Sequence, residues 1–206
     1  MHLHPSGVET SHYARSKALR QEHPRPVAGY VGVIDERIDL DIVRGLAEAL
    51  PQWDIEMVGP VFKISPDDLP RAPNLHYPGI QPYDRLPEIM GGFDVALMPF
   101  ALNEATRSIS PTKTLEYLAA GLPVVSTRIA DVVAGFRGVV ALHDDAAGFA
   151  GACERVMRDG LTERDAKVRP LLRLHHWDTI ARRMQDLMDD AMGYTDGLAP
   201  VARTAN

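Results

Sequence analysis

Two cations and one carboxylate lie close together within residues 107–127. Arg107 precedes a predicted helix, Lys113 lies in its first turn, and Glu116 follows about one turn later. A helix N-terminus already carries partial positive charge, so each further cation there is unfavourable by a few tenths to about 1 kcal/mol. An anion in front of the helix reverses that sign, and the pattern therefore suits a bound phosphate. From charge alone, solvated Arg107 and Lys113 side chains are an equal alternative.

Glu116 adds a second kind of chemistry to this segment. A carboxylate can accept two hydrogen bonds from the vicinal hydroxyls of a ribose. The alternative is a helical ion pair between Lys113 and Glu116, worth about 0.2–0.5 kcal/mol. The residue types therefore predict a site for a nucleotide, with the ion pair as the simpler explanation.

Local signals predict the helix that carries these side chains. Ser110 suits the N-cap position, and Pro111 suits the first helical position, where its missing donor costs nothing. Gly121 ends the helix, and the residues 123–125 that follow are typical of a buried strand.

Strands and helices alternate along the rest of the chain, which predicts a parallel sheet with right-handed crossovers. We expect an α/β, Rossmann-like domain of three layers over residues 27–192, after a linker or extended arm at 1–26 and before a disordered tail at 193–206. The predicted strands are 27–33, 53–59, 75–77, 94–100, 123–125 and 138–142. Besides the segment above, the predicted helices start near Asp39, at residue 83, at a cap on Asp144, at residue 162 and at residue 177.

Ligands of such sheets bind beyond the carboxyl ends of the strands. Several loops are expected to converge on one crevice there, namely those at Gly32, Gly59–Pro60, Gly79, Phe100 and ahead of Ser110. Gly32 would let the first loop approach a diphosphate closely, although tight packing explains a glycine equally well. No GxGxxG sequence follows the first strand, which argues against an ordinary NAD-binding domain.

Bulk properties exclude several classes of protein. A net charge of −6 and a pI near 5.7 argue against a general binder of nucleic acid or membrane surfaces. We see no apolar run long enough for a membrane span and no apolar core of a signal peptide. The single cysteine, Cys153, excludes an internal disulfide and fits the core. The histidines lack metal-ligand spacing, so we expect no metal site and a cytoplasmic protein, with the inner face of the membrane as a second location.

The stretch SPTKTLEYLAAGLPVVST resembles the donor-binding half of GT-B glycosyltransferases, of the group 1 or family 4 kind, in the bacterial cell-surface polysaccharide branch. That branch carries a Lys, then Glu-Tyr-Leu, then Ala-Gly-x-Pro-Val-Val. The stretch HPSGVETSHY is similar to the connection between the two GT-B domains. The resemblance runs from Pro5 to Leu187 and implies one half of a GT-B fold.

The resemblance also implies roles for individual residues. Glu116 matches the glutamate that binds the donor ribose. Arg107 and Lys113 become the catalytic candidates, because positive groups aimed at the leaving diphosphate stabilise the transition state. The nucleobase is expected against the backbone of Gly79, Ile80 and Gln81, for which a plain turn is the alternative. The diphosphate is expected against the backbone N–H groups of the segment that includes Ser108, Ile109, Ser110 and Thr112.

One position departs from the pattern of the family. Many relatives carry a glutamate that contacts the donor sugar eight residues before the ribose glutamate, and Ser108 stands there in this chain. Asn103 or Glu104 could replace that contact, or serve as ordinary loop residues. Arg37 is a weaker candidate for a further phosphate ligand, because acidic residues surround it.

These observations predict a domain that binds a nucleotide-diphosphate sugar and lacks its acceptor-binding half, with little or no transfer by this chain alone and no metal or other cofactor. The expected partners are the nucleotide sugar and either a separate N-terminal domain or a second copy of the chain. A stripe of Met184, Leu187 and Met188 on the last helix would mediate that contact.

Three alternatives stay open at this point. A sugar-nucleotide epimerase shares the GT-B architecture, and a non-catalytic interaction module derived from a glycosyltransferase would keep the core without the ligand. A flavodoxin-like signalling domain would need an acidic pocket with a phosphorylatable aspartate, for which Asp35 is loosely placed.

Overall fold

A single parallel sheet organises the fold in the computed structural model, which describes residues 6–107, 109, 112–159 and 162–191. In the described part the strand order is β3-β2-β1-β4-β5-β6. The strands are β1 (Val27–Val31), β2 (Asp54–Val58), β3 (Leu75–Gly79), β4 (Val95–Met98), β5 (Val124–Ser126) and β6 (Ala141–Leu142). Every adjacent pair is parallel. The prediction of a Rossmann-like α/β domain is confirmed.

The helices of the described part cover the sheet. They are α1 (Thr10–Ala14), α2 (Leu40–Ala49), α3 (Leu86–Gly91), α4 (Thr112–Ala119), α5 (Ala130–Phe136), α6 (Ala146–Asp159), α7 (Thr162–Leu174) and α8 (Trp177–Ala191). Short 3-10 turns lie at Arg15–Leu19, Pro66–Asp68, Tyr83–Arg85 and Glu104–Thr106. No described helix combines the length and the apolar content that crossing a membrane requires.

The strand order reverses between β1 and β4, because β2 and β3 lie on one side of β1 while β4, β5 and β6 lie on the other. Both central strands are fully buried along their length. A reversal of this kind opens a crevice at the carboxyl ends of the two strands, which is where ligands of open α/β sheets bind.

Local sequence explains several boundaries. The Asp39 side chain caps α2 by accepting hydrogen bonds from the N–H groups of Asp41 at 3.1 Å and Ile42 at 3.0 Å, as the predicted start requires. At the other end of α2, the buried Asn74 amide donates to carbonyls at the end of the helix and the start of β2. The predicted bounds of α7 match the structure.

Residues 1–26 were predicted to be a linker or an extended arm, and the described part of that segment is not extended. Residues 10–19 are helical, and Val8 and Tyr13 are buried in the core. The Val8 N–H donates to the His175 carbonyl at 2.9 Å, which ties this segment to the end of α7. Isolated helices this short are unstable in water, so these turns depend on tertiary packing that has no local signature.

Other parts of the predicted fold need correction or cannot be compared with the structure. Residues 130–136 form α5, which the sequence analysis missed. Asp145, and not Asp144, accepts the Gly148 N–H at the start of α6, at 2.6 Å. The predicted cap at Ser110 and first turn at Pro111, the end of the last helix at Met192 and the tail at 193–206 lie outside the described residues.

Candidate functional site

Helix α4 lies across the point where β1 and β4 end. The buried Tyr117 hydroxyl accepts a hydrogen bond from the Val31 N–H at 2.8 Å and donates to the Val31 carbonyl at 3.3 Å. The Thr114 hydroxyl contacts the Met98 sulfur at 3.3 Å. Burial raises the pKa of Tyr117 well above its usual range, so the hydroxyl stays protonated and can donate. These contacts fix the first turns of α4 at the carboxyl edge of the sheet.

Lys113 and Glu116 form an ion pair on this helix. The Lys113 Nζ lies 2.7 Å from the Glu116 Oε2, and the two side chains are 29% and 15% exposed. The simpler explanation offered by the sequence, a helical ion pair, is therefore present. Both groups still reach solvent at the sheet edge, so a ligand with phosphate and hydroxyl groups could exchange with the pair.

An aromatic cluster connects α1 to this edge, and the sequence analysis did not assign it a role. The His12 ring stacks on Tyr83 with centroids 4.1 Å apart, and Tyr13 meets Tyr83 edge-on at 6.1 Å. Burial raises the pKa of Tyr13, and the nearby carboxylate of Glu116 raises it further. The segment therefore touches both α4 and the turn after β3. Its only sequence signal is the aromatic end of the HPSGVETSHY stretch.

Arg107 is largely exposed and lines a cavity beside the predicted donor segment. Its Nη1 pairs with the Glu104 Oε1 at 3.1 Å. Asn103 caps the turn that precedes Arg107, since its Oδ1 accepts the Thr106 N–H at 3.2 Å and its Nδ2 donates to the Glu36 carbonyl at 3.2 Å. Asn103 therefore has a structural role. The ion pair between Arg107 and Glu104 lies on the surface, where solvent screens the attraction between the two charges.

Arg37 is held by the buried carboxylate of Asp35. Its Nη2 lies 2.6 Å from Asp35 Oδ2, and its Nε lies within 3.0 Å of both carboxylate oxygens. Burial raises the pKa of Asp35, but the hydrogen bonds from Arg37 outweigh it and hold the pKa below its usual value. The pair fixes the loop after β1, and a signalling aspartate would need to be free of such a partner.

We expect Asp35→Asn to lower the free energy of unfolding by about 1–2 kcal/mol at pH 7, because it leaves Arg37 without its charged acceptor. Since the folded-state pKa of Asp35 is depressed, its stabilisation is complete above the unfolded-state value of about 3.9 and is lost as pH falls through the folded value. Urea unfolding of both proteins at pH 7 and at successively lower pH should show the difference shrinking under acid. A difference in unfolding free energy between the two proteins that stays constant until Asp35 is fully protonated would contradict this account.

Two glycines, Gly32 and Gly59, allow the loop after β1 to contact the loop after β2. Gly59 has φ +145°, and a Cβ built there would lie 1.8 Å from the Gly32 carbonyl oxygen. A Cβ on Gly32 would lie 2.5 Å from the Tyr30 hydroxyl. Packing alone therefore accounts for a glycine at position 32, and its part in binding a diphosphate stays a prediction.

The turn at the end of β3 presents backbone to solvent. Gly79 adopts φ +75°, and a Cβ there would meet nothing within 4 Å. Ile80 is 75% exposed, and the Gln81 amide donates to the Pro78 carbonyl at 3.2 Å. These are the local contacts of a plain turn, and binding of a nucleobase to its backbone stays a prediction.

The remaining residues of the predicted donor segment are only partly described. Thr112 begins α4 and is half-buried, and Ile109 packs its side chain against the core. Ser108 and Ser110 lie outside the described residues. A cavity of about 460 Å³ adjoins this segment, and its wall includes Leu102, Arg107, Arg128 and Ala130. Arg128, which the sequence analysis missed, binds the Asp144 carboxylate at 2.6 Å.

No group of three or more His, Cys, Asp or Glu side chains among the described residues is arranged to hold a metal ion.

The sequence matches a known protein family. A model of the family described as "Glycosyl transferases group 1" matches residues 25–159. A protein of Bacillus subtilis strain 168 that carries the name teichuronic acid biosynthesis glycosyltransferase TuaH is 26% identical over 196 residues, which cover 89% of this chain and 49% of that protein. The chain thus spans about half the length of this curated relative.

Solved structures share the fold. Sucrose-phosphate synthase from Thermosynechococcus elongatus superposes with a TM-score of 0.69 at 18% identity, over 94% of this chain and 53% of that one. The Anabaena protein HepE in complex with UDP-glucose superposes with a TM-score of 0.67 at 16% identity, over 89% of this chain and 56% of that one. Here too the match spans little more than half of each known chain.

Proposed function

Because this chain belongs to the group 1 glycosyl transferases, we propose that it binds a nucleotide-diphosphate sugar at the carboxyl edge of its sheet and serves glycosyl transfer. The observation that carries the proposal is the position of α4, whose partly buried Lys113 and Glu116 lie where β1 and β4 diverge. The cation and the N-terminus of the helix suit a diphosphate, and the carboxylate suits the ribose joined to it.

Each group has a distinct task in this proposal. Glu116 leaves its pair with Lys113 and accepts hydrogen bonds from the ribose hydroxyls. Lys113 then faces the diphosphate together with Arg107 and the backbone of residues 108–112, Thr112 included. Negative charge grows on the diphosphate as the bond from the anomeric carbon to the phosphate oxygen breaks, and these positive groups stabilise it.

The nucleobase is assigned to the turn of Gly79, Ile80 and Gln81. The space beside Gly79 supports this assignment, because a Cβ built there would meet no described atom within 4 Å. UDP is the first nucleotide to test, since HepE is a fold relative solved with UDP-glucose. Gly32 and the partly described segment with Ser108, Ile109 and Ser110 complete the proposed diphosphate wall.

We propose that no metal takes part, because Lys113, Arg107 and the helix start supply positive charge of their own. The base for the acceptor hydroxyl is assigned to a part of the relatives' length that this chain does not match. These 206 residues alone should therefore bind the donor and transfer little or no sugar.

The proposal is tested by thermal unfolding of the purified chain with UDP, GDP or ADP, each with and without EDTA. One nucleoside diphosphate should raise Tm by mass action, and EDTA should leave that increase unchanged. No increase with any of the three would count against a donor site, and an increase that EDTA removes would show that a metal is required. A product assay with UDP-sugars that finds full transfer by this chain would refute the need for further residues.

A non-catalytic interaction module is the second candidate. Ser108 favours it, because it stands where the resemblance to the family implies a glutamate that contacts the donor sugar. This candidate predicts an unchanged Tm with every nucleotide.

The apolar stripe on α8 is proposed as the contact with a further domain or with a second copy of this chain. Met184 and Met188 are 45% and 56% exposed. If the chain self-associates through them, Met188→Glu should weaken the dimer about tenfold, because a buried unpaired carboxylate is costly. Light scattering at several concentrations measures this, with Gln185→Glu on the same helix as the control. A strictly monomeric mass for the unmodified chain would exclude self-association and leave the separate domain.

A further inference from the structure

A second cavity, of about 380 Å³, lies between the start of α1, the C-terminal half of α7 and the first turns of α8. Its wall contains three guanidinium groups, from Arg169, Arg173 and Arg182, and a single carboxylate, from Asp178. The chain as a whole carries a net charge of −6, so this concentration of positive charge departs locally from the rest of the molecule. The cavity shares no wall residue with the donor site described above.

Two of these arginines lack a partner within the described part of the chain. Arg169 and Arg173 lie one turn apart on α7, and no described residue gives either a hydrogen bond or an ion pair. Like charges at this spacing repel by about 0.2–0.5 kcal/mol. The C-terminal end of α7 favours a cation at Arg173, and an anion between the two groups and the facing helix would remove the repulsion that remains.

Two carboxylates belong to this region, Asp178 in the wall and Glu9, whose Oε1 lies 4.0 Å from the Nε2 of the wall residue His176. The Glu9 carboxylate accepts hydrogen bonds from the Ser11 hydroxyl at 2.6 Å and from its N–H at 3.3 Å. The Asp178 carboxylate lies 3.6 Å from the His176 Nδ1. The Arg182 Nε donates to the Asp178 carbonyl at 3.1 Å, which leaves its terminal nitrogens available. Three guanidinium groups thus outnumber two carboxylates, which leaves an excess of positive charge at the cavity.

We propose that this cavity binds a phosphate-bearing ligand, at a site separate from the donor site and independent of the function proposed above. Guanidinium groups bind phosphate oxygens through paired hydrogen bonds, and three of them line this cavity from two helices. The hydroxyls of Thr10 and Thr179 also line the wall and can donate to further oxygens. The phosphate can come from a free phosphorylated molecule or from the headgroup of an anionic lipid.

Inorganic phosphate is the first probe, added to the isotopically labelled chain while amide NMR signals are followed. The signals of Thr179 and Arg182 should shift and saturate, separately from any shifts on α4. In Arg169→Gln/Arg173→Gln, the affinity for phosphate should fall by about tenfold or more, because hydrogen bonds from charged groups are lost. Arg44→Gln/Arg71→Gln removes two exposed arginines elsewhere and should leave the affinity unchanged.

Sedimentation with vesicles then distinguishes the sources of the phosphate. Binding to phosphatidylglycerol vesicles but not to phosphatidylcholine vesicles, lost in the Arg169→Gln/Arg173→Gln variant, would assign a lipid headgroup. Saturable phosphate shifts without sedimentation would assign a free phosphorylated ligand. The proposal is overturned if the unmodified chain shows neither effect, or if this variant, folded by circular dichroism, behaves like the unmodified chain.

Discussion

Replacing Glu116 by alanine is expected to weaken the affinity for the preferred nucleoside diphosphate by about 100-fold or more. Two hydrogen bonds from ribose hydroxyls to a carboxylate are lost, and hydrogen bonds to charged groups contribute about 1.5–3 kcal/mol each. The side chain is only 15% exposed, so water replaces these bonds poorly. Equilibrium titration with the nucleoside diphosphate measures the change.

The control for this variant is Glu88→Ala. Glu88 pairs with Arg85 three residues earlier, just as Glu116 pairs with Lys113, but on α3 and with 50% of its side chain exposed. This control should bind the nucleotide like the unmodified chain. A Glu116→Ala variant that binds as tightly as the control would remove the carboxylate from the proposed ribose contact and leave only its ion pair.

Replacing Gly59 by alanine is expected to lower the free energy of unfolding by about 3 kcal/mol or more, because positive φ and overpacking add. At φ +145° an L side chain is strained, and the new Cβ would lie 1.8 Å from the Gly32 carbonyl oxygen. The obstacle is backbone, which cannot rotate away as a side chain would. The loops after β1 and β2 must therefore separate, and nucleotide affinity should fall with stability.

Gly135→Ala provides the matched control. Gly135 lies in α5 on an exposed face, and a Cβ there would meet nothing within 4 Å. Alanine should keep or raise stability, by up to about 1 kcal/mol, because glycine is the poorer helix former. Urea unfolding of both variants separates the two cases. Equal stability of the Gly59→Ala and Gly135→Ala proteins would contradict the close contact between the loops.

Sequence patterns predicted the scaffold because they are local. Apolar runs of four to five residues identified the central strands, and Asp39 marked the start of α2 through a side chain that caps its own neighbours. Helix α5 escaped because it is short and its N-cap, Ile129, makes no side-chain hydrogen bond. The sequence does not tell whether Asp144 or Asp145 caps α6, since an aspartate can cap at either position. In the structure, Asp144 accepts a hydrogen bond from the Arg128 N–H, and Asp145 caps the helix.

The candidate site was less predictable because its contacts join distant parts of the chain. Lys113 and Glu116 could be paired from their spacing alone. The packing of Tyr13 and His12 against α4 and Tyr83 could not be predicted in this way. It depends on how the five-residue helix α1 packs against the folded domain. The same applies to the basic cavity, whose arginines belong to two helices that meet only in the fold.

The central claim, that α4 carries a donor site, is tested most directly by calorimetric titration with UDP, GDP and ADP. The unmodified chain and a Lys113→Ala/Glu116→Ala variant are compared under the same conditions. The account predicts saturable binding of one nucleotide by the unmodified chain and its loss in the variant. Equal binding by the two proteins would contradict the assignment of the site to Lys113 and Glu116, and binding of none of the nucleotides by the unmodified chain would contradict a donor site within these residues.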